Sequence, residues 1–151
     1  MRTPRSTRRR IVASIAAVVV AATFVVVTPS AASAAEQHCS MTIIGQKKSG
    51  ELITTPMTCG ASQGFSILST IAVHYTGANF TGSSLNISGG ACDGGWLNLP
   101  AGWDNVISST WSSCVTDHYD NDYLNGSHES LPVGGGNLSS LNDRTNSVRY
   151  T

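Results

Sequence analysis

Hydrophobic positions divide the chain into two unlike parts. From Ile11 to Val27 they run almost without a break, whereas beyond Gln37 they come in short runs punctuated by glycine or by Asn, Asp and Ser. The first run follows Arg2, Arg5, Arg8, Arg9 and Arg10 and ends at Ala32-Ser33-Ala34, the basic, apolar and small-residue order of a secretory leader. Residues 1–34 are therefore expected to be removed on export, by either the general or the twin-arginine route, since Arg8-Arg9-Arg10 suits both. The apolar run is short for a membrane span, so no membrane association is expected afterwards.

Past the leader, no stretch longer than a turn or two has helical periodicity. Met41, Ile43, Leu52 and Ile53 flank Gly45-Gln46-Lys47-Lys48-Ser49-Gly50, which predicts a hairpin, and Gly60 to Gly64 reads as a linker. In the run Ile67 to Tyr75, residues Ile71, Val73 and Tyr75 share one face at period two, the pattern of a half-buried strand. Leu85, Ile87 and Leu131 precede glycine-rich loops at 89–95 and 134–136, and Trp96, Leu97, Leu99, Trp103 and Trp111 are expected at the core or its edge. The pattern predicts an all-β sandwich over residues 65–151, preceded by a hairpin and linker at 35–64.

The second half repeats itself. Tyr75, Phe80, Gly82, Ser83 and Ile87 recur 44 places on as Tyr119, Leu124, Gly126, Ser127 and Leu131. Asp104-Asn105-Val106-Ile107-Ser108-Ser109 recurs 38 places on as Asn142-Asp143-Arg144-Thr145-Asn146-Ser147. Each unit thus has an opener and a closer, and the second has lost six residues between them. An aromatic, a second bulky residue five places on and a glycine two beyond it suit a folded hairpin, in which Gly82 and Gly126 take positive φ or a crowded Cα. The closers offer hard oxygens, which suit calcium's six to eight ligands.

Charge and cysteines narrow the function. Without its leader the chain keeps Lys47, Lys48, Arg144 and Arg149 against nine carboxylates, a net charge of −5, which gives no footprint for a phosphate backbone and excludes nucleic acid as a partner. About 117 residues remain, enough for one domain. Cys39, Cys59, Cys92 and Cys114 all survive cleavage and, in an exported chain, read as two disulfides with three possible connectivities. Neighbour pairing is favoured, because Cys39 and Cys59 are symmetric about Ser49, and Cys92 and Cys114 enclose the first closer. His38, His74, His118 and His128 are scattered, with the character of surface histidines, and neither H-E-x-x-H nor G-x-S-x-G occurs, so no catalysis is expected. Asp120 to Gly126 is no EF-hand loop, because its twelfth position is Leu131 rather than glutamate. Asp117, Asp120 and Asp122 instead read as a solvated loop beside the second closer.

On these openers and closers the chain resembles a secreted microbial βγ-crystallin domain, in which two tandem Greek-key motifs form one sandwich. The family's opener, aromatic-x4-aromatic-x-Gly, is met by Tyr75/Phe80/Gly82 and, with leucine as second member, by Tyr119/Leu124/Gly126. Its calcium run of two Asn/Asp, two free positions, Ser/Thr and Ser is met at every place by Asp104 to Ser109, while Asn142 to Ser147 departs at Asn146. The likeness covers about residues 70–151 and leaves the first hairpin outside. It implies calcium held by exchange between the runs. Asn105 and Asp143 would ligate by side chain, Val106 and Arg144 by carbonyl, and Ser108 and Asn146 as the exchanged groups, with Asp104 and Asn142 opening the runs. Ser109 and Ser147 would brace the openers, and Asn146 puts one site in question.

The function this implies is a secreted, monomeric, calcium-binding module with a structural or adhesive role. The alternative is a proteinase inhibitor or killer-toxin-like protein, since some secreted actinobacterial metalloproteinase inhibitors and some killer toxins have crystallin-like folds. Its partner would be an extracellular proteinase or a cell-surface component, engaged by the loop at 89–95 around Cys92.

Overall fold

The computed structural model describes residues 35–60 and 70–151; the leader, most of the expected linker and the start of the Ile67–Tyr75 run lie outside the described residues. Eleven strands are described: β1 (His38–Gln46), β2 (Leu52–Thr54), β3 (Thr58–Cys59), β4 (Thr70–Gly77), β5 (Thr81–Ser88), β6 (Gly95–Asn98), β7 (Ser109–Ser112), β8 (Thr116–Tyr119), β9 (His128–Leu131), β10 (Gly136–Asn137) and β11 (Ser147–Tyr150). Among the described residues there is no helix.

Two sheets face each other. One runs β10-β7-β4-β5-β1-β2, with β3 also on β1, and the other runs β6-β11-β8-β9. Strands β4 to β7 form the first unit and β8 to β11 the second. Each unit keeps three strands in its own sheet and lends its third to the other, β6 pairing with β11 and β10 with β7. Neither repeat can therefore complete a sheet alone, which makes the pair of Greek keys one folding unit.

The first hairpin joins this architecture. β1 runs parallel to β5, from His38 opposite Ser84 to Thr42 opposite Ser88, and buries Cys39 and Met41. Cys39 bonds Cys59 and Cys92 bonds Cys114, the sequence-neighbour pairing, closing loops 20 and 22 residues apart. In the chain-entropy model loops of that size contribute roughly 3 kcal/mol each.

The core between the sheets holds Leu85, Ile87, Ile107, Leu141, Val148 and Tyr150, all essentially inaccessible. Leu97, Leu99 and Trp103 are buried as expected, while Trp96 and Trp111 are half-buried at its edge. In β4 the phase differs from the period-two reading. Ala72 and His74 face the opposite sheet, and Tyr75 instead lies edge-on to Phe80. A register shift between Thr70 and Ala72 lets Ile71 reach the core as well.

His74 and His118 are therefore not surface histidines. Both are wholly buried and share one hydroxyl: Thr110 Oγ1 lies 2.9 Å from His74 Nδ1 and 2.9 Å from His118 Nε2, and His74 Nε2 lies 3.0 Å from the Tyr150 hydroxyl. These contacts satisfy most of the polar atoms that burial strips of water. Burial, reinforced by repulsion from His118, holds His74 well below the usual imidazole value. Burial also pulls His118 down to about 4, against the opposing pull of Glu129 and Asp117.

The openers fold as expected. Asn79 and Phe80 have φ of 56° and 62°, Tyr123 and Leu124 of 60° and 57°, and Gly82 and Gly126 of 80° and 84°. A Cβ on Gly82 would lie 2.6 Å from Thr76 Oγ1, and one on Gly126 would strike the Asp120 carboxylate. The buried Ser109 hydroxyl accepts from Phe80 N at 3.0 Å and donates to the Gly77 carbonyl at 2.7 Å. Ser147 does the same for Leu124 N at 3.1 Å and the Asn121 carbonyl at 2.7 Å. The lent strands add a second brace, since Asn137 Oδ1 accepts from Asn79 N and Asn98 Oδ1 from Tyr123 N.

Two expectations follow. The unfolded chain protonates its histidines near 6.5, but folded His118 does so only near 4, so stability is full above about pH 6.5 and falls as pH drops toward 4. His118 alone accounts for a loss of roughly 3 kcal/mol. Urea unfolding at stepped pH checks this, and a midpoint unchanged between about pH 7 and pH 4.5 contradicts it. Ser109→Ala or Ser147→Ala strands a backbone N–H and a carbonyl at a buried site and costs about 2 kcal/mol in the same assay.

Candidate metal centre

Each closer is the turn that leads into the last strand of its unit, β7 or β11. Its second residue sits in the left-handed region, Asn105 at φ 58° and Asp143 at φ 54°, a conformation that Asn and Asp tolerate better than other side-chain-bearing residues. That turn aims the two closers at each other. Asn105 N donates to the Thr145 carbonyl at 2.8 Å and Asp143 N to the Ile107 carbonyl at 2.9 Å, a reciprocal pair between wholly buried acceptor residues. Ser108 N and Asn146 N donate to the carbonyls of Tyr75 and Tyr119, both at 2.8 Å, tying each closer to its own opener strand. The two runs therefore lie side by side, each within reach of the opener and of the other run.

At the first corner three oxygens from three segments converge. Ser108 Oγ lies 3.1 Å from the Thr76 carbonyl and 3.1 Å from Asp143 Oδ1, which comes from the second closer. An open pocket at this corner is lined by Thr76, Asn105, Val106 and Asp143, together with Gln37, Ser83, Gly102 and Trp103. Oxygens bound to one calcium at 2.3–2.6 Å stand roughly 3 to 3.5 Å apart, which is the spacing that Ser108 Oγ keeps to each of the other two. One carboxylate, one hydroxyl and one carbonyl are hard ligands, and among the described residues no cluster of three His, Cys, Asp or Glu side chains is placed to hold a metal ion.

The second corner repeats the framework with different chemistry. Asn146 Nδ2 donates to the Asp120 carbonyl at 2.6 Å, and Asn105 Nδ2 donates to Asn146 Oδ1 at 3.0 Å. A carbonyl oxygen only accepts, so it fixes the amide of Asn146 with its nitrogen inward, and that in turn fixes Asn105. The departure at the fifth position thus brings an N–H donor, rather than an oxygen, to the Asp120 carbonyl. Nothing in this arrangement fits a cation.

The remaining nominated residues take supporting places. Asp104 Oδ1 accepts from Gly102 N at 3.0 Å and lines a second open pocket with Asp122, beside Asn146. Asn142 Nδ2 donates to Asp143 Oδ2 at 3.1 Å, steadying that carboxylate. Val106 packs on the core, whereas Arg144, its counterpart, is exposed and pairs with Asp120 Oδ2 at 3.1 Å. The acidic stretch from 117 to 122 is therefore not simply solvated. Asp117 is buried against Arg149 at 2.7 Å and bonded by Ser130; burial raises its carboxyl, but these bonds outweigh that and hold it below the usual value.

Two contributors carried no readable signal. The Thr76 oxygen is a backbone carbonyl, which any residue would supply. Glu129 on β9 accepts from the backbone N–H groups of Ser139, Ser140 and Leu141 and from both serine hydroxyls, at 2.8 to 3.1 Å. Burial disfavours its charge, yet those donors outweigh it and hold the carboxyl at about 2. Glu129 so anchors the chain just ahead of the second closer. The loop at 89–95, considered for binding a proteinase, turns through positive φ at Gly89, Gly90 and Gly94, and Gly89 lies close against the Ile43 carbonyl of β1.

No protein-family model and no curated protein sequence matches the chain. Among solved structures it is similar to a βγ-crystallin domain from Clostridium beijerinckii, with 20% identity over 53% of this chain and 97% of that one, at a TM-score of 0.43. A βγ-crystallin domain from Flavobacterium johnsoniae has 24% identity over 54% of this chain and 93% of that one, also at 0.43. The N-terminal domain of Protein S has 20% identity over 54% and 94%, at 0.40. With its two Greek keys, exchanged third strands and braced openers, the chain carries an all-β sandwich similar to microbial βγ-crystallin domains.

Proposed function

We propose that the protein is a secreted, non-catalytic calcium-binding module in which one ion at the first corner ties the first opener to both closers. The observation that carries this reading is the convergence of Ser108 Oγ, the Thr76 carbonyl and Asp143 Oδ1 from three chain segments. Without the ion, the Ser108 hydroxyl hydrogen must serve two acceptors at once. With it, that hydrogen turns outward and all three oxygens face a single positive charge. A site with one carboxylate has modest affinity, on the order of 10⁻⁴ to 10⁻³ M, suited to the calcium-rich exterior that the leader implies. The ion then acts as a stabiliser by mass action, and the module's role is structural or adhesive. The buried histidines give no handle for catalysis, because both rings are sealed from solvent.

Calcium at ten times the dissociation constant contributes about 1.4 kcal/mol, which raises the melting temperature by roughly five degrees in a domain of this size. Ser108→Ala or Asp143→Asn removes that rise, while magnesium, which demands a tighter octahedron, gives little of it. Calorimetric titration and thermal unfolding measure both effects. Absence of heat together with an unmoved melting temperature contradicts the proposal.

A further inference from the structure

We propose that the second corner is a built-in latch: Asn146 and Arg144 supply there the donors and the positive charge that an ion supplies at the first, so that each chain takes one calcium and one corner stays closed without any. This rests on the reading of the first corner as a calcium site.

The repeat sets the two corners in register. Thr76 and Asp120 correspond, as do Ser108 and Asn146, Asn105 and Asp143, and Val106 and Arg144. Thr76 Oγ1 accepts from Ser83 N at 3.0 Å, and Asp120 Oδ1 accepts from Ser127 N at 2.8 Å in the matching place. The aspartate has a second oxygen, and it takes Arg144. The substitutions are therefore concerted. Where the first corner has Thr and Val, the second has an acid and a base that pair, and where the first has a hydroxyl, the second has an amide that spans the gap between the Asp120 carbonyl and Asn105.

Admitting a cation at the first corner requires only that a hydroxyl rotate. At the second, Asn146 must reverse its amide and give up a 2.6 Å bond, Asn105 must reverse to follow it, and the ion must settle near a guanidinium. Each step opposes binding, and they act together. The latch thus fixes both the stoichiometry and the share of the fold that survives calcium withdrawal.

The test is a calcium titration by calorimetry, with thermal unfolding in chelator as a second readout, on the wild-type protein and on variants of it. Wild type is expected to bind one ion and Ser108→Ala none. Asn146→Ser combined with Arg144→Val, which copies the first corner, is expected to gain one ion. In chelator that double variant melts several degrees below wild type and recovers with calcium. Two ions on wild type, one of them surviving Ser108→Ala, overturn the latch while leaving the first corner intact. No ion on wild type refutes the calcium reading itself. The double variant still decides the latch in that case: a gained ion or lowered melting in chelator supports it, and neither change overturns it.

Discussion

Two backbone hydrogen bonds, Asn105 N to Thr145 O and Asp143 N to Ile107 O, govern how the halves of this domain meet. They form only because the second residue of each closer turns left-handed, and each accepts its partner's chain at a wholly buried residue. Once that pair is made, β7 and β11 leave the junction in opposite sheets, each beside its own opener strand. The exchange of β6 and β10 then completes both sheets. Everything chemically distinctive lies around this junction: the oxygens of the first corner, the amides of the second, and the serines that end each closer and brace the openers.

Features that demand one residue type at one place were legible in the sequence. Gly82 and Gly126 are required where a Cβ would collide, Ser109 and Ser147 where a small donor-acceptor must be buried, and the cysteines where two short loops close. What escaped depended on distant partners. The phase of β4 could not be read from Ile71, Val73 and Tyr75, because the decisive inward residue, His74, is made tolerable there by Thr110 and Tyr150, 36 and 76 residues away. The addition of β1 to β5 is likewise a long-range choice that local hairpin signals do not encode. At the candidate site the sequence supplied the side chains, but neither the Thr76 carbonyl nor the direction of the Asn146 amide, since both are set by what faces them.

The described residues are acidic, yet their two arginines are spent internally, Arg149 on the buried Asp117 and Arg144 on Asp120. That leaves Asp143 at the first corner, its carboxylate met there by uncharged partners, a serine hydroxyl and an asparagine amide. Local charge thus differs between two corners of nearly the same backbone, and the difference comes from two register positions, threonine and valine in one unit, aspartate and arginine in the other. A few polar substitutions between the two repeats are enough to give the corners different donors: a serine hydroxyl at the first, an amide and a guanidinium at the second.

The most direct measurement is a crystal structure grown in millimolar calcium, with anomalous scattering used to place the ion. The account predicts a single peak within about 2.6 Å of Ser108 Oγ, the Thr76 carbonyl and Asp143, with Asn146 still donating to the Asp120 carbonyl. A peak beside Asn146, or closers drawn apart with no ion between them, would contradict it.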